Sequence, residues 1–182
     1  MVFVDISGNE TLWAVRFEGE TENEFMKVFY QWNDAMWLRE FFKENIDDLS
    51  AYFKITDINQ AVRDTVEDSE VLRCLILDIS PDADLSKLFR PLDNNQASDL
   101  MLQKEKARLK RRLRHVSWLR LYAIKLSSRV YVITGGAIKL TATMQEREHT
   151  RKELAKIEKV RRYLLEEGII DDNGFIDYIQ EL

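Results

Sequence analysis

Period-two alternation of apolar and polar residues predicts a β-hairpin in the second half of this chain. Residues 119–126 alternate between two faces, and residues 129–134 are rich in the β-branched and aromatic types that strands favour. Gly135 and Gly136 then break the second strand or introduce a bulge. Residues 137–143 continue as a short third strand or an extended exit. One face of the first strand carries Arg120, Tyr122, Ile124 and Leu126.

Elsewhere, apolar residues recur every three or four positions, which predicts three amphipathic helices. These helices span residues 24–45, residues 57 to about 80, and residues 145 to about 167. A second hairpin is predicted at the start of the chain, where residues 2–6 and 11–17 flank a turn that contains glycine. The chain therefore contains both helices and strands, and the strands lie mainly outside the long helical segments.

Two segments before the second hairpin show no clear periodicity. Residues 89–95, FRPLDNN, are predicted to form a loop because of their proline and paired asparagines. Residues 104–114 contain seven cations and one acid, a composition typical of a solvated mobile segment or a nucleic-acid patch. A short amphipathic helix is a further possibility, because Leu109 and Leu113 are four residues apart, and a linker with incidental charge is another.

Composition restricts the class of protein further. The chain has 182 residues, of which 45% are apolar, and this suffices for one domain with a real core. The single cysteine, Cys74, excludes an internal disulfide and is expected to pack in its apolar helical run. No segment approaches a transmembrane span, and the N-terminus does not resemble a signal peptide, so we expect a cytoplasmic protein with no membrane association.

Charge is distributed unevenly along the chain. Residues 1–95 contain 9 Lys and Arg against 20 Asp and Glu, whereas residues 96–182 contain 18 against 12. The net charges of the two parts are therefore −11 and +6. Such a division indicates a basic functional surface beside an acidic segment, and the basic part favours a polyanionic partner. The acidic part would then pack over or beside the basic sheet and mimic nucleic acid.

The chain lacks the familiar catalytic signatures. It has no glycine-rich phosphate loop and no G-x-S-x-G motif, and neither His115 nor His149 has metal-ligand spacing to the other or to Cys74. We therefore expect no metal and no cofactor. The remaining arginine, lysine, tyrosine and hydroxyl side chains around the second hairpin suit phosphate chemistry, in which cations stabilise charge on the phosphorus centre. RNA supplies its own nucleophile, the 2′-hydroxyl.

The segment from about residue 120 to 162 resembles the C-terminal half of RelE/HigB-type toxins, in particular their phage-derived branch. The similar pieces are WLRLYAIKL (118–126), RVYVITGG (129–136), AIKLTAT (137–143) and a basic helix at 145–164. The resemblance implies an α+β fold, with a small antiparallel sheet and helices packed on one face. It also implies metal-independent cleavage of mRNA, on the ribosome or free, and a cognate antitoxin that often contains a helix-turn-helix.

The resemblance assigns phosphate binding and charge stabilisation to Arg120 and Lys139, and Thr141 is its third matched position. Position relative to these residues adds Tyr122 and His149 as candidates for proton transfer. Tyr122 as a core residue and Lys139 as a solvated strand residue are the alternatives. The remaining candidate RNA contacts are Lys125, Arg129, Arg147, Lys110, Arg111 and Arg112.

The sequence departs from the toxin pattern at three positions, where Ala137 replaces an aromatic, Leu140 a lysine and Gln145 a proline. These departures keep open a second function class, a non-catalytic RNA- or protein-binding protein of the same fold. In both cases we predict one α+β domain over residues 1–182. The parts of this domain are a mainly helical acidic extension (23–90), a basic sheet and helix (91–167) and a short C-terminal helix (168–182).

Overall fold

One sheet contains all six strands that the described residues form. The computed structural model describes residues 1–78, 84–92, 102–109 and 115–181. The strands are β1 (Val2–Asp5), β2 (Leu12–Arg16), β3 (Phe89–Pro91), β4 (Gln103–Ala107), β5 (Leu119–Lys125) and β6 (Tyr131–Ile138), in the spatial order β1-β2-β6-β5-β4-β3. Both predicted hairpins are present. The fold is α+β, as predicted. The prediction of an antiparallel sheet is wrong, because β2 pairs with β6 in parallel and the sheet is therefore mixed.

Six helices pack on this sheet. They are α1 (Glu24–Asn33), α2 (Ala35–Glu44), α3 (Ile46–Asp48), α4 (Ile58–Leu77), α5 (Glu148–Glu166) and α6 (Asp172–Gln180), and a π-helical turn (Leu49–Phe53) follows α3. The helix predicted over residues 24–45 is split at Asp34. The carboxylate of Asp34 accepts hydrogen bonds from the backbone N–H groups of Met36 and Trp37, and so caps a new helix. No helix in the described residues is long and apolar enough to cross a membrane.

Helices cover both faces of the sheet, whereas the toxin resemblance implied helices on one face. We call the side covered by α1, α2 and α4 the α4 face, and the side covered by α5 and α6 the α5 face. Leu119 and Leu121 of β5 belong to the core of the α4 face, and Tyr122 and Ile124 belong to that of the α5 face. The predicted alternation of β5 is therefore confirmed, but both of its faces are buried.

Strands β3 and β4 were not predicted. Residues 89–91 were expected in a loop, and residues 104–107 in a charged patch, helix or linker. In β4 the polar residues Gln103 and Glu105 face inward, and Lys104 and Lys106 lie on the opposite face. The buried positions of a strand are usually apolar, so the polar residues at these positions kept β4 from being predicted. Strand β3 lies at the sheet edge, where the missing N–H of its proline is tolerated.

The beginning of α5 also differs from prediction. The sequence predicts a helix from residue 145, and Thr143 and Glu146 have the spacing of a capping box at a helix start. The Glu146 carboxylate does accept hydrogen bonds from the backbone N–H and the hydroxyl of Thr143. However, residues 141–147 form no helix, and α5 starts at Glu148 without a side-chain cap. A second side-chain expectation is also wrong, because Cys74 is exposed on α4 and is not packed.

A bulge in β6 interrupts the regular pairing of this strand with β5. The pairing register between β5 and β6 shifts between Tyr122 and Ala123, opposite Thr134, close to where the paired glycines predicted an interruption. Strand β2 pairs with β6 only as far as Ile133. Past that point, Glu24 at the start of α1 contacts Lys156 of α5. The bulge therefore marks the place where helices from the two faces meet.

Candidate functional site

Four cations converge at the end of β4, the start of β5 and the exit of β6. Ala107 of β4 pairs with Leu121 of β5, and both face the α4 side. Because neighbouring strand residues point to opposite faces, Lys106 and Arg120 lie on the α5 face. Arg108 directly follows β4, and its positive charge acts on Arg120. Arg120 pairs with Ala137 of β6, and Lys139 follows two residues later. We call Lys106, Arg108, Arg120 and Lys139 the cationic corner.

The members of the cationic corner repel one another. Burial, together with the charge of Arg108, lowers the pKa of Arg120 to about 10. The pKa of Lys139 is likewise lowered by burial and by the positive charges of Arg120 and Lys106. The carboxylate of Glu146 acts in the opposite direction on Lys139, but it does not offset the other effects. Like charges at neighbouring sheet positions destabilise the fold.

Arg120 is the most constrained member of the cationic corner. Its Nη1 donates hydrogen bonds to the backbone carbonyls of Ser117 (2.8 Å) and Leu119 (2.7 Å), which fix the plane of the guanidinium. Within the described residues, its Nε and Nη2 have no hydrogen-bond partner and no carboxylate forms an ion pair with it. A mostly buried cation without an acid is costly, and its free edge has the fork geometry that binds an oxyanion.

Lys139 and Thr141 shape the loop that follows β6. The ammonium group of Lys139 donates hydrogen bonds to the carbonyls of Thr141 (2.9 Å) and Ala142. Thr141 is buried, and its hydroxyl donates to the carbonyl of Thr143 (3.0 Å). Lys139 is therefore held in the cationic corner, where its third N–H remains available, and is not the solvated strand residue of the alternative interpretation. The hydroxyl of Thr141 is used inside the loop.

Tyr122 lies in the core beside Arg120. Its side chain is 1% exposed, and its hydroxyl has no hydrogen-bond partner among the described residues. Burial raises the pKa of Tyr122 above its usual value, an effect that the nearby Arg120 opposes and Glu153 reinforces. The phenol is therefore neutral, and RNA at the surface could not reach its oxygen in this arrangement. This environment matches the core interpretation of Tyr122 that the sequence left open.

His149 lies in the second residue of α5, next to the strand exit. Its Nε2–H donates to the carbonyl of Ile138 (2.9 Å), and its ring meets that of Phe41 edge-on at 5.1 Å. Burial lowers the pKa of His149, so the imidazole is neutral near pH 7. A neutral imidazole that donates from Nε2 keeps Nδ1 as a proton acceptor.

The other predicted RNA contacts lie outside the cationic corner. Arg147 forms a two-point ion pair with Asp48, with both N–O distances at 2.6 Å. Lys125 lies at the far end of β5 from Arg120, with Nζ 3.9 Å from Glu105. Arg129 is exposed in the following turn. Lys110, Arg111 and Arg112 fall outside the described residues.

Sequence analysis missed Lys106 and Arg108 as site residues. The signal was present, because Lys104, Lys106 and Arg108 alternate with residues 105 and 107, as cations on one face of a strand would. The high charge of the whole block made a solvated segment or patch the simpler interpretation. Within the described parts of the chain, no group of three or more His, Cys, Asp or Glu side chains could hold a metal ion.

The chain was also compared with known proteins. Neither a protein-family model, nor a curated protein, nor a solved structure matches it. The resemblance to RelE/HigB-type toxins therefore rests on the quoted motifs, and the function has to be argued from the geometry of the cationic corner.

Proposed function

We propose that this protein binds RNA through the cationic corner. The observation that carries the proposal is the state of Arg120, a mostly buried guanidinium whose Nε and Nη2 edge has no partner among the described residues. Arg108 lies beside it and is exposed. Together with Lys139 these groups offer several N–H donors to one anionic oxygen-rich group, as phosphate recognition requires.

The wider charge distribution favours nucleic acid over other anions. The net charge of residues 96–182 is +6, and seven of their cations lie in residues 104–114. Each phosphate that a cation neutralises releases counterions and so strengthens binding. Among the described residues, the two strongly exposed aromatic side chains are Tyr30 and Tyr52, and both lie in the helical N-terminal part. We therefore expect recognition of the phosphate backbone without base stacking, and little preference for sequence.

Salt dependence of RNA affinity tests this proposal. We expect the logarithm of the affinity of the full chain for a short RNA to fall linearly with the logarithm of salt concentration. Arg108→Gln should weaken binding and reduce the slope by about 1, because one phosphate contact is lost. Lys152→Gln is the matched control, since it removes the same charge from an exposed site on α5, where Lys152 pairs with Glu148. Equal affinities for wild type and Arg108→Gln would refute the assignment.

Metal-independent cleavage of mRNA by a toxin-like endoribonuclease is a second candidate function, and the state of His149 favours it. This neutral imidazole donates to Ile138, the residue before Lys139, so a base lies close along the chain to a cation of the site. In this reaction the 2′-oxygen forms a bond to the adjacent phosphorus, the bond from phosphorus to the 5′-oxygen breaks, and the 5′-oxygen takes up a proton from water. His149 would accept the 2′-proton, and Arg120 and Lys139 would stabilise the added charge. A helix-turn-helix antitoxin and ribosome-bound mRNA would then be the partners.

Expression in a bacterial host separates the two candidates. If the protein cleaves mRNA, induction arrests growth and creates new mRNA 5′ ends, and the double variant Arg120→Ala/Lys139→Ala abolishes both effects. His149→Gln should then reduce cleavage while RNA affinity stays unchanged. Intact mRNA and normal growth at confirmed soluble expression, together with RNA binding by the purified protein, would leave the non-catalytic function.

A further inference from the structure

The cations of the cationic corner form a cluster, and they are not arranged in a row such as would follow an extended nucleic-acid backbone. Arg108 directly follows β4, and one further step of the pairing of Ala107 with Leu121 would set it opposite Arg120. The charge of Arg108 lowers the pKa of Arg120, so the two guanidinium groups lie near each other. Lys106 is two residues before Arg108, roughly 7 Å along the extended chain. Lys139 is close enough for Arg120, Lys106 and Arg108 all to affect its pKa.

The positive charge of the cationic corner is larger than the negative charge of a single internal phosphodiester. One phosphodiester carries one negative charge, and the next one lies further along the strand. The positive charges of Arg108, Arg120 and Lys139, opposed in the described residues by the Glu146 carboxylate, suit a compact group with at least two negative charges. A phosphate monoester carries about −1.5 to −2 at pH 7, and a polyphosphate carries more.

We propose that the cationic corner binds a phosphate monoester or polyphosphate group, supplied by the 5′ end of an RNA. This inference rests on the proposed RNA binding and names the part of the RNA that the site would take. The same chemical group occurs in a free nucleoside triphosphate and in inorganic pyrophosphate. The test below includes these sources as separate ligands.

The N–H groups that each cation has available indicate how it would contact the phosphate. The carbonyls of Ser117 and Leu119 position Arg120, and its Nε and Nη2 then bind two oxygens of one phosphate. Lys139 keeps its two bonds to loop carbonyls and donates its third N–H. Arg108 is exposed, so it can reach the outer phosphate of a longer chain. Lys106 donates to the carbonyl of Leu92 (2.8 Å) at the edge of the cationic corner.

Binding of end-modified RNAs to the full chain tests the inference. Three RNAs of one sequence carry a 5′-hydroxyl, a 5′-monophosphate or a 5′-triphosphate, and GTP and inorganic pyrophosphate serve as the other ligands in calorimetric titrations. We expect affinity to rise in the order hydroxyl, monophosphate, triphosphate, with at least about a tenfold span, because charged hydrogen bonds contribute this much. Arg108→Gln should reduce the difference in affinity between the hydroxyl and triphosphate RNAs, and Lys152→Gln should leave this difference unchanged.

A second variant separates charge from geometry. Arg120→Lys keeps the positive charge but loses the two-donor edge, so it should lower the affinity for the triphosphate RNA at least about fivefold. Circular dichroism and the melting temperature of the variant establish that it is folded. Unchanged affinity in a folded Arg120→Lys protein would contradict binding of the phosphate by the Arg120 edge.

The outcomes distinguish this inference from the proposed function. Equal affinity for the three RNAs would overturn the inference, while RNA binding through the cationic corner would stand. Tight binding of GTP or pyrophosphate, sensitive to Arg108→Gln and combined with no affinity for any RNA, would confirm the phosphate chemistry. That result would identify a free nucleotide as the source and overturn RNA as the ligand.

Discussion

At the residue scale, Gly135 has the most demanding environment. Its φ is +154°, and a Cβ atom added there would lie 2.0 Å from Oε2 of Glu153. Glu153 cannot easily move away, because it is 8% exposed and its other oxygen is 2.7 Å from Lys156. We expect Gly135→Ala to reduce the free energy of unfolding by about 2–4 kcal/mol through backbone strain and steric overlap. Urea denaturation monitored by circular dichroism measures the loss.

Two further variants separate these causes. Gly19→Ala also places alanine at positive φ (+81°), but no atom lies within 4 Å of its added Cβ, so it should cost only about 1 kcal/mol. In the background of Glu153→Ala, Gly135→Ala should cost less than it does in wild type, because the overlapping carboxylate is gone. An equal cost in both backgrounds would show that Glu153 does not restrict this position.

His149 gives the stability of the protein a defined pH dependence. Burial lowers its pKa in the folded state below the usual value of about 6.5. The folded protein therefore resists protonation of His149, and its stability falls as pH decreases from about 6.5 through the folded pKa. His149→Gln should be less stable than wild type at pH 7.5, where the bond to Ile138 is lost without any ionisation. The difference in stability between His149→Gln and wild type should become smaller towards pH 5.5. Melting curves across this pH range measure it, and a difference that does not change with pH would contradict a lowered pKa of His149.

At the element scale, the contact between α1 and α5 depends on one lysine. Lys156 is 2.7 Å from Glu24 and 2.7 Å from Glu153, and the two carboxylates are 1% and 8% exposed. Lys156→Met would leave Glu153 buried without its cation, whereas Glu24 would keep Lys27 at 2.9 Å. We expect a loss of roughly 3 kcal/mol in the free energy of unfolding, since an uncompensated buried charge is costly.

Controls for this prediction come from the same helix. Lys152→Met removes an exposed partner of Glu148 and should change stability by less than about 0.5 kcal/mol. Adding Glu153→Gln to Lys156→Met should restore much of the loss, because no unpaired carboxylate then remains in the interior. A double variant that is as unstable as Lys156→Met alone would argue against electrostatics as the cause.

Elements with a conventional pattern could be predicted from the sequence. Helical spacing located α1 and α4, and alternation located β5. Strand β4 could not be found in this way, because its inward side chains are Gln103 and Glu105 and its outward ones are lysines. The parallel pairing of β2 with β6 was equally inaccessible, since local patterns carry no information about partners so distant in sequence.

The candidate site was predictable in part. Alternation placed Arg120 on a defined strand face, and the toxin resemblance drew attention to Lys139. Arg108 and Lys106 joined them only through the pairing of β4 with β5, which required the strand that the sequence concealed. The burial of Tyr122 depends on α5 covering that face, a tertiary fact that a strand pattern alone does not contain.

At the scale of the whole molecule, the acidic and basic parts share one sheet and one hydrophobic core. Strands from both parts share the sheet, and Leu119, Leu121 and Ile133 pack against helices of the acidic part. We therefore expect a fragment of residues 96–182 to lack a folded core, because one face of β5 and β6 would be exposed. Cooperative thermal unfolding of that fragment, or dispersed amide signals in its NMR spectrum, would contradict this prediction. Removal of the acidic part is thus no clean test of whether it mimics nucleic acid.

The parallel pairing of β2 with β6 also determines when the molecule can be completed in a cell. Leu12 must wait for Tyr131 before its strand has a place in the sheet. At synthesis rates of about 5–20 residues per second, that wait lasts on the order of ten seconds. During this time the apolar residues of the N-terminal hairpin and of α1 lack their cover. The native sheet can therefore close only after β6 has left the ribosome.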